Sequence, residues 1–417
     1  MVRSESIADS GEDHNAYFPP LDVSSSGVNT PWLPRSICVW PGYAEQQEAR
    51  TRFGLHPMEM GSDRPQRSGM SSYTYTYLVA VALLLTIIDP GRAAEAAKKD
   101  AAPRGKADME TAARLQIFLD RAEFAPGKID GRYGQFTVKA LALYRQSRGE
   151  TSAPPPEKPD TAPDVSGIDL SSVAPLFLAY TVTEADLKNL GKVPDEVPAQ
   201  AKLKVLTYQT AAEAIAEKFH TDVDFLSELN PGKTEEIKAG DVLRVPNVQP
   251  FELAIVKNLQ PGGELAANDL EDDDKNDGET APTKTAVEID TQTSMLTVHE
   301  DGKLIAAYPV TIGSEQTESP VGDWKVRAVA KMPNFRYDKS MLNKGERSDK
   351  FQILPPGPNN PVGVVWIALN KKGIGLHGTN EPDSIGRSAS HGCVRLANWD
   401  VIRLAGKVKA GVPVAIH

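Results

Sequence analysis

Apolar positions along this chain follow two different periods. Between residues 108 and 149, Leu115, Ile117, Phe118 and Leu119, then Val138, Leu141, Leu143 and Tyr144, recur at helical spacing. Between the two sets lies Pro126–Gly134, whose glycines and Asp130 suit tight turns with positive φ. Helical spacing returns at Ala212, Ile215, Ala216 and Phe219 and again at Val223, Leu226 and Leu229, with Asp222 placed to cap the second helix. Ile237–Pro246 then reads as a turn and a short strand. From Thr285 onward the period shortens to the alternation of strands. Val287 and Ile289 are separated from Leu296 and Val298 by the turn Asp290–Thr293, and Asp301-Gly302 is a hairpin signal. Tyr308–Gly313, Gly322–Val326 and the nearly unbroken apolar run Val362–Leu369 continue the series. Only Asn398 to Val408 reads as helix, with Asn398 as its cap.

Short strands with Gly and Pro turns predict a mainly β, β-sandwich-like C-terminal domain over 285–417, rather than a parallel α/β sheet. Two small accessory modules precede it, one α-helical over 108–149 and one α+β over 177–248. The Pro-rich stretch 150–165 predicts a stiff, extended linker. Residues 260–284, carrying the run Glu271–Asp277, predict a solvated acidic one.

Forty per cent hydrophobic and 24% charged residues are ordinary for globular protein. The formal charge of -10 argues against nucleic acid as a partner. The longest apolar run, Tyr77–Ile88, is shorter than the ~18–20 residues of a membrane span. It matches the apolar core of an export signal over 60–96, with Arg64 and Arg67 before it and the cleavage pattern Ala94-Glu95-Ala96 after it. An uncleaved membrane anchor or a buried core helix are the alternatives. Residues 1–59 would then be a disordered extension or follow from a start assigned too early. The exported chain would lose Cys38 and keep Cys393 alone, which excludes an internal disulfide.

Cys393 lies in Ser390-His391-Gly392-Cys393-Val394-Arg395, downstream of His377-Gly378. A thiol near imidazoles on a glycine-punctuated turn suits nucleophilic catalysis, because an imidazole raises the thiolate fraction. His377 is the candidate base, since Gly378 leaves its ring and backbone accessible. His391, on the nucleophile's own turn, is a supporting residue, and Ser390 steadies the loop. The backbone N–H groups of Gly392 and Cys393 are candidate oxyanion donors, worth roughly 3–4 kcal/mol each in other acyl-transfer enzymes. Arg395 and Arg387 are candidates for substrate carboxylates. His220, at a helix end, reads as a capping or surface residue. An inert buried cysteine and a zinc site of His377, His391 and Cys393 remain as alternatives, the latter at a spacing foreign to common zinc motifs.

Several motifs in order carry a resemblance. These are Asp301-Gly302-Lys303, Pro309-Val-x-Ile-Gly313, Ser319–Gly322, Gly375–Asn380, Ser384–Arg387, Ser390–Arg395 and Gly411–Val414. Together they resemble the L,D-transpeptidase catalytic domain of bacterial cell walls. The segment around Ile129-Asp130-Gly131 resembles a three-helix peptidoglycan-binding domain. Residues 177–248 resemble a lysin motif, a strand–helix–helix–strand module for wall glycans, with a long insertion after an opening strand at Tyr180–Val182. A ligand-free scaffold and a structural spacer are the alternatives for these two.

The resemblance implies a cysteine acyltransferase in the periplasm or cell envelope. Its partners would be peptidoglycan stem peptides and glycan strands. It implies neither metal nor cofactor. His377 would be oriented by a neighbouring backbone oxygen. Cys393 would form a thioester with a tetrapeptide stem, and an acceptor amine would resolve it into a 3→3 cross-link. Water as acceptor (carboxypeptidase or endopeptidase), attachment of a protein to the wall, and a non-catalytic wall-binding protein are the rival readings.

Overall fold

The computed structural model describes residues 105–258 and 283–417, apart from 153, 157, 159, 189, 314–319, 345–346, 372 and 388–392. The expected export signal, the segment before it, Cys38 and all but the last two residues of the acidic linker lie outside the described residues.

Segment 108–149 folds as two helices, α1 (Lys106–Arg121) and α2 (Gln135–Ser147), not three. The turn between them is tied by one amide. Gln116 donates from Nε2 to Asp130 Oδ1 at 2.9 Å, and its Oε1 accepts from Gly131 N at 2.8 Å. Gly131 has φ +64°, and a Cβ there would meet Met109 Cγ at 2.8 Å, so two constraints exclude a larger residue. The Pro-rich stretch folds back onto α2, where Arg145 donates to the carbonyls of Asp164 and Ser166.

The next unit pairs β1 (Phe177–Thr181) antiparallel with β2 (Val242–Pro246). Between them come α3 (Val197–Gln200), α4 (Ala211–Lys218) and α5 (Val223–Leu229). Thr210 and Glu213 form a capping box on α4, and Asp222 caps α5 by accepting from Phe225 N at 2.6 Å. The insertion after β1 is a bridge to the C-terminal domain. Leu206 N donates to Pro356 O at 2.9 Å, and Asn359 N donates to Leu206 O at 3.1 Å. A short helix, α6 (Leu253–Asn258), follows β2.

The C-terminal domain contains β3 (Thr285–Asp290), β4 (Met295–Glu300), β5 (Lys303–Pro309), β6 (Gly322–Lys331), β7 (Phe335–Tyr337), α7 (Lys339–Lys344), β8 (Gln352–Leu354), β9 (Val365–Leu369), β10 (Gly375–His377), β11 (Val394–Arg395), α8 (Asn398–Ala405) and β12 (Pro413–Ile416). It is mainly β, but it is not two stacked sheets. Eight strands form one curled mixed sheet in the order β11-β10-β9-β6-β12-β3-β4-β5. The long strand β6 is the reason. Its first half pairs with β12 and its second half with β9, with a register shift between Val326 and Ala328 where the partners change. Both halves of the sheet therefore close on one core, where Ile289, Leu296 and Tyr308 meet Ile367, Leu376 and α8's Trp399 and Leu404. Asp301 and Gly302, at φ +48° and +75°, make the β4–β5 turn.

The N-terminal units pack against this domain. Phe124 bridges the edge strand β5 at Ala307, with Ala125 N donating to Ala307 O and Ala307 N donating to Glu123 O. The 129–131 turn faces inward as well. Ile129 N donates to His220 O, and Thr221 Oγ1 donates to Ile129 O. Lys128 pairs with both Asp222 and Asp383.

Two expectations about single residues change. His220 is neither capping nor exposed: it is buried, its Nδ1 lies 3.0 Å from Asp120 Oδ1, and its ring stacks on Trp399. Arg403 completes the cluster with two bonds to Asp120, at 3.0 and 2.9 Å. Asn398 does not cap α8; Ala397 holds that position, and the Asn398 amide turns into the protein instead.

Candidate active site

Strand β10 lies between β9 and β11, antiparallel to the first and parallel to the second. His377 stands opposite Trp366 on one side and Arg395 on the other. Side chains alternate along a strand, so His377, Trp366 and Arg395 share a face, and Cys393, two residues before Arg395, projects to that face too. All four line one cavity of about 370 Å³. The segment from β7 to β8 walls it from the other side with Tyr337 and Met341, and Thr379 and Glu381 close the end. Asp338 braces that segment, accepting from Arg336 at 2.8 Å and from Ser348 N at 2.7 Å.

The imidazole is held by its face and by one ring nitrogen. Trp366 stacks on it with centroids 5.2 Å apart and planes 12° from parallel. Gly375 makes room for that indole, since a Cβ there would come within 2.7 Å of the ring. Nδ1 lies 2.6 Å from Gly378 O. A carbonyl only accepts, so Nδ1 carries the proton and Nε2 is the free base. Gly378 has a packing reason to be glycine, because a Cβ there would strike Asn398 Oδ1.

The thiol of Cys393 is partly buried and packs beside Trp366 and Val362. It donates to Gly373 O at 3.4 Å, and the Gly375 N–H donates to the sulfur. Burial pushes the thiol up to about 11, although the Gly375 bond and Arg395 both favour the thiolate. Burial likewise pulls His377 down to about 4; the Gly378 carbonyl opposes this and Arg395 reinforces it. Both groups are therefore neutral at pH 7, a thiol beside a free base rather than a preformed ion pair. The rate of Cys393 alkylation by iodoacetamide is expected to rise about tenfold per pH unit between pH 7 and 9, without a plateau, as thiolate is drawn from a high-lying thiol. A plateau near pH 6–7 would instead reveal an ion pair.

The cavity brings together Cys393, His377 and Arg395, with Gly378 directly behind the histidine. It does not include Arg387. That residue lines a separate cleft of about 100 Å³ between the α1–α2 turn and residues 382–387. The physical reason is the tether on its loop. Gly386 N donates to Thr311 Oγ1 at 2.8 Å, and Lys128 draws Asp383 toward the helical unit. Ser390, His391 and Gly392 lie outside the described residues. Trp366 and Glu381 escaped the reading of the sequence, because a cross-strand or cross-cavity partner has no local signature. Only the glycine at 375 hinted at something large nearby.

Residues 284–416 match the family model of the YkuD L,D-transpeptidase catalytic domain. The chain belongs to the L,D-transpeptidase family. Among its relatives, YqjB of Bacillus subtilis is 31% identical over 31% of this chain and 68% of its own length. YkuD of Bacillus licheniformis is 28% identical over 49% of this chain and 92% of its own. Among solved structures, L,D-transpeptidase 3 from Mycobacterium tuberculosis is 17% identical over 44% of this chain and 76% of its own, at a TM-score of 0.27.

Proposed function

We propose that this chain is a cell-envelope acyltransferase that cross-links peptidoglycan through a thioester on Cys393. The observation that carries the reading is the shared cavity wall, where a neutral His377 with its Nδ1 proton locked ends β10 and Cys393 immediately precedes the neighbouring strand β11. His377 Nε2 takes the thiol proton as sulfur attacks the carbonyl joining the third and fourth residues of a tetrapeptide stem. The N–H groups of Cys393 and Gly392 hold the oxyanion. Its collapse breaks the peptide bond, His377 returns the proton to the leaving amine, and D-alanine departs. An amine on the third residue of a second stem then attacks the thioester, His377 takes its proton, and the expelled thiolate is reprotonated. The product is a 3→3 cross-link. Arg395 pairs with a stem carboxylate, and its burial beside the thiol strengthens that contact.

The N-terminal units serve this domain as a scaffold, a reading supported by the inward-facing 129–131 turn. Among the described residues no helix is long and apolar enough to cross a membrane. Tyr77–Ile88 acts as the export signal that delivers the enzyme to its wall substrate.

Incubation of the protein with purified tetrapeptide muropeptides, followed by mass spectrometry, tests the reaction. Dimers that have lost one D-alanine are expected. Tripeptide monomers alone would mean water is the acceptor, and unchanged substrate would sink the enzymatic reading.

A further inference from the structure

The hydrogen bond that sets His377's tautomer depends on where Gly378 sits, and Gly378 is backed by Asn398. The Asn398 side chain is fully buried, and its Oδ1 accepts from Val364 N at 3.1 Å while filling the space between Gly363 and Gly378. An amide has two ends, and the shorter bond of the other leaves the catalytic domain, with Pro358 O as a second, longer acceptor at 3.4 Å. Asn398 Nδ2 donates to Glu217 Oε1 at 2.7 Å. Glu217 is on α4, in the N-terminal α+β unit, 7% exposed, and also hydrogen-bonded by Tyr208.

A buried carboxyl at a junction of two folding units is costly unless its bonds do something. Here the acceptor fixes which way the Asn398 amide faces. With Nδ2 committed to Glu217, Oδ1 must face Val364 and Gly378. A reversed amide would point its NH₂ at the Val364 N–H, donor against donor. The chain of contacts then runs from Asn398 to Gly378, whose carbonyl accepts from His377 Nδ1, while Leu396 N donates to His377 O at 2.8 Å.

We propose that Glu217 is a positioning residue for catalysis: through Asn398 it holds the Gly378 carbonyl where it keeps the proton of His377 on Nδ1. The N-terminal unit is thereby part of the active site rather than an appendage to it. This rests on His377 being the base.

The test uses the full chain and three readouts: the rate of Cys393 acylation by a tetrapeptide donor, the imidazole nitrogen NMR shifts of His377, and the unfolding midpoint. Glu217→Ala is expected to lower kcat at least tenfold with KM changed less than threefold, and to mix the two His377 tautomers. Glu217→Gln, which can still accept from Asn398, is expected to stay within threefold of the parent. Should Glu217→Ala not fold, Asn398→Asp carries the question. It sets a second carboxyl against Glu217, which burial raises to about 7, so it should lose activity at alkaline pH, where no proton bridges the two, and Glu217→Gln added to it should restore activity there by supplying a donor. An alanine variant that keeps both its rate and a single Nδ1–H tautomer overturns the proposal, as does a double variant no better than Asn398→Asp. His377→Ala separates the two readings. If it leaves acylation intact, His377 is not the base; if it abolishes acylation while Glu217→Ala does not, only the positioning role fails.

Discussion

Cys393→Ala is expected to abolish cross-linking, and His377→Ala to lower it by about 10²–10⁴-fold, the range for loss of a positioned general base. The two effects should not add. With the thiol gone there is no nucleophile to activate, so the double variant should match Cys393→Ala alone. The asymmetry has a structural cause. The thiol's value of about 11 leaves little thiolate at pH 7, so without His377 nearly all reactivity goes. The pH dependence follows with a definite sign. His377 titrates near 4, so it is already a free base at pH 6, and the acid limb of kcat/KM should fall near pH 4 rather than at the usual histidine value. Stopped assays from pH 3.5 to 8 measure this, and an acid limb at 6.5 would show that the ring is not buried neutral. Loss of cross-linking in Cys393→Ala, together with mass-spectrometric detection of a thioester on the parent at that cysteine, checks the nucleophile.

The second large effect concerns stability. Asp120→Ala is expected to destabilise the protein by about 3–5 kcal/mol, since it removes both close hydrogen bonds of Arg403 at a buried junction and leaves only the longer contact to Asp400 at 3.7 Å. Asp120 lies on α1, His220 follows α4, and Arg403 is on α8, so one carboxylate ties three parts of the chain together. Burial pushes Asp120 up, but Arg403 and then His220 outweigh it and hold the carboxyl well below the usual range. Because the folded value is depressed, its stabilisation is complete above the unfolded value of about 4 and is lost as pH falls below it. Burial also keeps His220 and His377 below their unfolded value of 6.5. Glu217, which burial raises to about 7, works in the opposite direction over the same range, so the clear loss of stability expected from Asp120 comes below about pH 4. Urea unfolding of parent and variant from pH 3 to 8 measures both. Equal midpoints for Asp120→Ala and the parent at pH 7 would mean that the cluster does not hold the units together.

Local chemistry was legible in the chain wherever a pattern closes on itself. Asp301-Gly302 makes its hairpin turn because both positions tolerate positive φ, and Asp222 caps its helix because the acceptor and the N–H it binds are three residues apart. Cys393 and His377 stood out as candidates because cysteine is a sparing choice beside glycines, and the fold sets both on one cavity. Where a residue's placement depends on a partner far away in the chain, no local pattern shows it. Asn398 looks like a cap because Asn before a helix usually is one, yet its partners are Val364 and Glu217. His220 looks exposed at a helix end, yet Asp120, a hundred residues earlier, buries it. Arg387 sits in a motif close in sequence to Cys393, while its loop is drawn toward the helical unit.

By itself the sequence determined the strand-rich catalytic domain, its family and its candidate nucleophile and base, because alternation, turn residues and a lone thiol are properties of neighbouring positions. Tertiary structure alone decided that the sheet is one curled layer and not two, through the change of partners along β6. It also decided that Glu217 of the N-terminal α+β unit meets Asn398, which packs behind Gly378 next to the candidate base His377. Register and burial set those outcomes, and both are properties of pairs of distant segments that no local pattern encodes.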